Sequence, residues 1–367
     1  MPHLLPVRSK SIESLRTAKS LMKSNGIKDI AKSLGISRGT VDRALHGRSG
    51  ISEETRKRVL ARAEQVGYRP NQAARSLKLR RTLRIGVFFP CEIASFFDLL
   101  RSGVRAAASS VGLNIDLVFR SFPRIDEGDV ELLTAESPQS YDGILVAPGT
   151  PARIQPALQR FVREGVPFVC VANDAMKEDR LACVTSDAHS SGAIAAELFS
   201  GFIQRRGTIA AVTGSLTVPD HANKITGFAA GLATYAPHLT FLPPILSHYR
   251  PRKTAIEMKK LFVRKPHPLG IYVSIANALP VLLSLEEHNL LGKVPVIATD
   301  LLPELIPYIE SGAILATLSQ RPLTQGKLAL DLIVRHLTEG VLEKPLTILV
   351  PHIVMRSNLA LFRGQGD

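Results

Sequence analysis

Ile27-Lys28-Asp29-Ile30-Ala31-Lys32-Ser33-Leu34-Gly35-Ile36-Ser37-Arg38-Gly39-Thr40-Val41-Asp42-Arg43-Ala44-Leu45 reads as two short helices around a tight turn. Ile30, Ala31 and Leu34 share one face of the first helix at helical spacing. Gly35 permits the left-handed backbone that ends a helix. Ser37 can cap a second helix, Arg38 to Leu45, whose Val41 and Leu45 point inward. Ser52 caps a third helix, and Glu53 and Glu54 in its first turn suit the positive helix end. Val59, Leu60, Ala63 and Val66 give that helix an apolar face, and Gly67 stops it. Three helices with one glycine turn make a helix-turn-helix unit, whose second helix lies in a DNA major groove. Arg38, Gly39, Asp42 and Arg43 are its exposed positions: Arg pairs bidentately with guanine, and Gly allows close approach. Ser37 and Thr40 suit phosphate contacts. Taken alone, the pattern fits a helical hairpin with a solvated basic face equally well.

Charge points the same way. Of the 46 Lys and Arg, 20 precede Ile85, against 6 of the 32 Asp and Glu, so the whole formal charge of +14 sits in the first 84 residues. The rest of the 367-residue chain is balanced. Such concentration is an electrostatic footprint for a polyanion. No apolar run reaches the roughly 18 residues of a membrane span, and Arg8, Lys10, Glu13, Arg16 and Lys19 interrupt any secretory h-region. A cytoplasmic protein is expected. Cys91, Cys170 and Cys183 lack metal-type spacing and read as buried thiols in a reducing compartment.

Tyr68-Arg69-Pro70-Asn71-Gln72-Ala73-Ala74-Arg75-Ser76-Leu77 follows. With Ile27 to Ala31, Gly35-Ile36-Ser37, Thr40 to Leu45 and Ile51-Ser52, this segment resembles the lactose/galactose-repressor family over nearly all of residues 27–85. The resemblance implies a hinge helix containing Asn71, Ala74 and Leu77 that orders on operator DNA. Paired hinge helices of a homodimer would enter the minor groove, with Leu77 as a wedge between base steps. Residues 1–26 match nothing in the family. Residues 1–21 are expected to be a disordered basic arm or to lie upstream of the native start, since Met22 stands where family members usually begin.

From Leu83 onward, short apolar strands alternate with amphipathic helices. Strands are predicted at Ile85–Phe89, Ile115–Phe119, Gly143–Ala147, Phe168–Val171, Thr208–Val212, Gly270–Val273, Val294–Ala298 and Ile314–Leu318, and helices at Phe97–Val111, Ser190–Ile203 and Thr324–Thr338. This alternation implies α/β architecture with doubly wound parallel sheets and ligand loops at the carboxyl ends of strands. About 280 residues suffice for two lobes. No dinucleotide, Walker-type, zinc-protease, C-x-x-C or G-x-S-x-G motif is present, so neither an enzyme nor a cofactor or metal is expected.

The same family resemblance extends over 83–360 to its effector domain, similar to periplasmic sugar-binding proteins (type I). It implies that Phe96 and Phe97 flank a sugar ring, whose apolar faces stack on aromatic side chains. Asn173 stands, after Ala172, where sugar binders carry an acid and a basic residue. Lys224 matches a ligand-binding Arg, Ser274 or Asn277 a ligand-binding Asn, Asp300 an acid that accepts hydroxyls, and Gln320 a Gln near the hinge. Each has a plainer reading: Phe96 and Phe97 as core, Lys224 as a surface helix lysine, Asp300 as the cap of a helix starting near Leu302. Asp187 and His189 read as turn and capping residues.

The expected organisation is an arm (1–26), a helix-turn-helix domain (27–70), a hinge (71–82) and a two-lobed effector and dimerisation domain (83–365). The expected function is a DNA-binding transcriptional regulator, a repressor, that binds operator as a homodimer and responds allosterically to a small polar effector, a sugar or polyol. The resemblance implies a homodimer at least; a tetramer usually needs an extra C-terminal helix, for which Phe362 to Asp367 leave no room. The alternatives are a solute-binding protein, which would need an export signal, and an α/β enzyme with a basic arm, which would need a nucleophile, metal or phosphate motif. Leu77→Ala should weaken operator binding far more than binding to random duplex, measured by fluorescence anisotropy on both; equal losses would remove the wedge.

Overall fold

A computed structural model describes residues 27–45, 50–66, 81–125, 127–175, 179–263, 265–340 and 346–362. The chain forms two compact units, Met1–Lys78 and Leu79–Asp367. The hinge residues Asn71, Ala74 and Leu77, the arm and Gly67 lie outside the described residues.

In the smaller unit, α1 (Ile27–Leu34), α2 (Arg38–Leu45) and α3 (Glu53–Gln65) close on one core. Ile30, Ala31, Val41, Ala44, Val59 and Ala63 are buried in it, with Leu34, Leu45 and Val66 packed at its rim. Both predicted caps form: Thr40 N donates to Ser37 Oγ at 3.0 Å and Thr55 N to Ser52 Oγ at 3.2 Å. Arg62 Nε donates to Ser33 Oγ at 3.1 Å and ties α3 to α1. Leu60, expected on the apolar face, is 46% exposed. The buried row of α3 runs through Val59 and Ala63, four residues apart, and Leu60 lies about 100° around the helix from Val59.

The larger unit runs β1 (Leu83–Pro90), α4 (Ala94–Ser110), β2 (Ile115–Phe122), α5 (Asp129–Ala135), β3 (Gly143–Val146), α6 (Pro151–Arg163), β4 (Phe168–Val171) and β5 (Ala182–Ser186). Then come α7 (Ala188–Phe202), β6 (Gly207–Thr213), α8 (Pro219–Tyr235), β7 (Leu239–Phe241), β8 (Ile245–Leu246), α9 (Pro251–Val263), β9 (Ile271–Val273) and α10 (Leu279–Glu287). The chain closes with β10 (Val296–Thr299), α11 (Ile306–Glu310), β11 (Ile314–Ser319), α12 (Pro322–Glu339), β12 (Leu346–Leu349), β13 (His352–Val354) and α13 (Leu359–Phe362). All eight predicted strands form, with ends that differ by at most three residues.

The strands assemble into two sheets, ordered β12-β5-β4-β3-β1-β2 and β13-β11-β10-β9-β6-β7, with β8 also paired to β6. Both faces are covered. Ile85, Val87 and Phe89 of β1 pack on one side of the first sheet, with Val104 and Leu330 from α4 and α12. Phe88 packs on the other side with Leu158 and Phe161 of α6. Burial on both faces explains why the strands read as continuous apolar runs. One pairing departs from the parallel expectation: β13 runs antiparallel to β11. β12 and β13, joined by Val350 and Pro351, belong to different sheets, and β13 enters the second sheet at its edge beside β11. Cys170 and Cys183 are buried and adjacent in register, but Cys91 is exposed, contrary to expectation, because it stands one residue beyond β1.

Each lobe is closed by one glycine-on-backbone helix crossing. A Cβ on Gly103 of α4 would lie 2.1 Å from the Leu323 carbonyl oxygen of α12, and one on Gly326 would lie 2.2 Å from that of Leu100. The second lobe repeats the device between α7 and α8: Gly192 against the Lys224 carbonyl and Gly227 against that of His189, each at 2.0 Å. Backbone cannot give way as a flexible side chain can. An ordinary helical Gly→Ala gains about 1 kcal/mol. Gly326→Ala should instead lose about 1–3 kcal/mol through overpacking, seen as a lower urea midpoint; a raised midpoint would show that the helices can part.

Candidate functional site

Two surfaces carry chemistry, one in each unit. On the helical unit, burial of Val41 and Ala44 turns α2 so that Arg38, Gly39 and Arg43 are exposed, with Asp42 half-buried. Ser37 Oγ also meets Thr40 Oγ1 at 2.9 Å. The helix start is thus capped by two hydroxyls, and its exposed surface presents Arg38 in the first turn and Arg43 in the last.

In the larger unit, a cleft of about 370 Å³ opens between the lobes at the carboxyl ends of the strands. The first lobe contributes Phe96, Phe97 and Asn173, with Ile93 and Ile125 beside them. The aromatic pair packs edge-on, ring centres 5.0 Å apart, at 5% and 1% exposure. The second lobe contributes Lys224 together with Asp220, His221 and Tyr249, and Ile275 and Ala276 complete that wall. Gln320 reaches the cleft from the connection between β11 and α12.

A buried polar chain lies behind this wall. Lys224 Nζ donates to Asp220 Oδ2 at 2.6 Å and to Gln320 Oε1 at 2.8 Å. Gln320 Nε2 donates to Asp300 Oδ2 at 2.7 Å, and its backbone N–H to Asp300 Oδ1 at 2.8 Å. Ser186 Oγ, at the end of β5 in the first lobe, donates to Gln320 Oε1 at 3.3 Å. Gln325 Nε2 of α12 donates to the Gln320 carbonyl at 2.7 Å. Lys224 is therefore no surface lysine: it is 1% exposed. Nor does Asp300 serve as a helix cap, since both its carboxylate oxygens are held by Gln320.

Of the residues singled out from sequence, the structure brings Phe96, Phe97, Asn173, Lys224 and Gln320 together on the cleft wall, with Asp300 one bond behind. It does not bring Ser274 or Asn277 there. Ser274 is fully buried, its Oγ donating to the Val212 carbonyl at 3.4 Å, and Asn277 is half-buried. The chain turns sharply after β9, so the intervening Ile275 and Ala276 face the cleft instead. Asp220, His221 and Tyr249 were missed. Asp220 had a signal, standing four residues before Lys224 on one helical face. His221 Nδ1 lies 3.2 Å from Ser215 N, and its Nε2 bonds Tyr249 Oη; Tyr249 follows a two-residue strand and had no pattern to find it by. Asp187 caps α7 as expected, accepting from Ser190 N at 2.9 Å.

Backbone strain gathers at the same place. Ile93, Ala172 and Tyr249 line the cleft with φ of 50°, 65° and 54°, and Asp300 and Arg321 flank Gln320 with 66° and 61°. Non-glycine residues in this region cost of order 1–3 kcal/mol each and persist where packing over-determines them. Among the described residues, no group of His, Cys, Asp and Glu is placed to hold a metal ion, and no helix is long and apolar enough to cross a membrane.

Residues 85–340 match the periplasmic binding protein domain family, and residues 26–71 match the bacterial regulatory proteins of the lacI family. The chain belongs to the periplasmic binding protein domain family through residues 85–340, and carries a lacI-type segment ahead of that body. It is 28% identical over 209 residues to catabolite control protein A of Priestia megaterium, covering 56% of this chain and 60% of that protein. It is 38% identical over 124 residues to the probable HTH-type transcriptional repressor ExuR of Bacillus subtilis, covering 33% of this chain and 35% of that one. The matched stretches thus span less than two thirds of these relatives, which are transcriptional regulators and not enzymes. A solute binding protein of an ABC transporter from Agrobacterium vitis, solved with bound alpha-D-tagatopyranose, shares the fold: TM-score 0.70, 21% identity, 76% of this chain and 96% of that one.

Burial pushes the Asp300 carboxyl up from its ordinary 3.8 to about 6, against the opposing pull of Lys224 and the Gln320 donors. Its folded value lies above its unfolded one. The stabilising contribution is therefore fully present below about pH 4 and lost as the pH rises through about 6, a difference of about 3 kcal/mol. Asp300→Asn, uncharged throughout, should lack that slope. The check is the difference in urea midpoint between wild type and variant from about pH 4 to about pH 7; a constant difference would remove Asp300 as its source.

Proposed function

We propose that this chain is a transcriptional repressor that binds operator DNA as a homodimer in the cytoplasm, with a sugar or polyol in the interlobe cleft controlling that binding. The observation that carries this reading is the joining, in one chain, of a lacI-type segment over 26–71 to a periplasmic binding protein domain over 85–340. In the DNA-binding role, Arg38 and Arg43 read base edges, while Ser37, Gly39, Thr40 and Asp42 shape and orient that end of α2. The domains are taken as 27–70 for the helix-turn-helix, 71–82 for the hinge and 83–365 for the effector-binding and dimerising body. In the effector role, Phe96 and Phe97 stack on the apolar faces of a ring, and Asn173, Lys224 and Gln320 serve its hydroxyls, with Asp300 behind them.

Allosteric control requires the effector to favour one arrangement of the lobes, since equal affinity for both would shift nothing. Contacts between lobes are available for such a bias: Ser95 Oγ donates to Glu304 Oε1 at 3.0 Å across the cleft mouth. Exposed Ile256 and Val263 on α9 and Leu283 on α10 support association of two chains. The test is selection of genomic fragments on the purified chain, then titration of the best fragment and its shuffled version. Preference for the selected fragment is expected, with two chains per complex, a dependence on at least one sugar or polyol, and a loss of about ten- to a hundredfold in Arg38→Ala. Equal affinity for both duplexes, with and without sugars, would overturn the reading.

A further inference from the structure

The charges at and just behind the cleft lining carry a negative excess. Apart from His221, Lys224 is the one basic side chain among the described residues of its inner part, and Asp220 and Gln320 already hold two of its three N–H groups. With Asp300 behind Gln320, one ammonium faces two carboxylates. Outward, the cleft continues past Asn173 and Asp220 into a wider chamber of about 990 Å³, whose described lining includes Asp174, Asp187 and His189 but no Lys or Arg. Asp174 is held by Arg180 at 2.6 and 2.9 Å. An excess of one sign around a low-dielectric cleft biases the potential within it.

Two oxygens at the junction of the chambers lack partners. Asn173 Oδ1 and Asp220 Oδ1 are buried and accept no hydrogen bond from the described residues. Asn173 is 5% exposed, and both residues line both chambers. Unpaired acceptors are costly when buried. Hydroxyl groups would meet that need, because each donates. A carboxylate or phosphate at neutral pH would add a like charge beside Asp220 and find, among the described lining residues, no Lys or Arg that is not already paired.

Building on the reading that the cleft holds a sugar or polyol, we infer that it selects uncharged, hydroxyl-rich rings and rejects their anionic counterparts, the sugar acids and sugar phosphates. Asn173 Oδ1 and Asp220 Oδ1 accept from ligand hydroxyls. Lys224 is a positioning residue: it holds Asp220 and Gln320 in place and contributes at most its third N–H to the ligand.

The experiment is a calorimetric and thermal-shift panel on the full chain. The probes are pentoses, hexoses and cyclitols, each paired with its acid or phosphate, such as D-galactose with D-galacturonate and D-glucose with D-glucose 6-phosphate. At least one neutral probe should bind, at least about tenfold tighter than its anionic partner. Asp220→Asn, which removes one buried negative charge, should narrow that ratio by about tenfold. Anionic partners that bind as tightly as neutral ones, or tighter, would overturn the selectivity and leave the sugar reading standing. Failure of every probe would overturn the sugar reading and the selectivity with it. An unchanged ratio in a folded Asp220→Asn chain would overturn the role of Asp220. Should that variant not fold, the wild-type ratios still decide the selectivity.

Discussion

A buried ammonium group organises the larger unit. Stripping an ion of water costs several kcal/mol unless partners replace the lost hydration, and removing one partner of a buried pair costs about 3–5 kcal/mol. Lys224 finds its partners on three elements: Asp220 one turn back on α8, Gln320 on the connection into α12, and Asp300 behind it at the end of β10. Ser186 at the end of β5 and Gln325 of α12 hold the same glutamine. The charge is thus met within the second lobe and by the connection, and the first lobe joins the same chain of bonds through Ser186. Cleft geometry and lobe geometry are therefore one problem.

Strain follows from that requirement. Asp300 adopts a left-handed backbone at φ 66°, which orients its carboxylate toward both donors of Gln320. Ala172 places the next residue, Asn173, against the cleft in the same way. Such conformations are kept because the surrounding packing is dense: Phe97, Tyr272 and Phe228 are each 1% exposed or less. Unpaired polar atoms and strained backbone meet at this wall, the strained Ala172 directly preceding Asn173 with its unpaired Oδ1, as expected where a fold sacrifices local stability at a working surface.

Much of this was legible in the sequence, for physical reasons that differ by element. Strands buried on both faces announce themselves as apolar runs, and the eight predicted ones formed. Five short strands went unpredicted, because two to five residues carry too little pattern. β7, β12 and β13 also lie at sheet edges, where burial imposes no continuous apolar run. The cap serines and the orientation of α2 were readable because they depend on neighbours three or four residues away. Leu60 misled because a helix of charged residues leaves its apolar stripe one residue wide. At the cleft, family correspondence located Lys224, Asp300 and Gln320 but erred by one or two residues at Ser274 and Asn277, where a turn decides which side chain looks inward. Nothing local marks Tyr249, which reaches its place through tertiary contact with His221.

The glycine crossings bear on the order in which the chain can be assembled. In the second lobe, Gly192 and Gly227 meet across a short stretch of sequence, so that helix pair closes soon after it is made. In the first lobe, Gly103 waits for Gly326 and β5 waits for β12, with most of the second lobe synthesised between them. Long-range closures of this kind are slow, because the intervening loop must be closed before any contact rewards it. On the ribosome, the helix crossing of the lobe whose strands emerge first is thus the later of the two to close, and its apolar α4 face stays uncovered until α12 arrives. Newly made chains are most exposed to chaperones and to self-association during that interval.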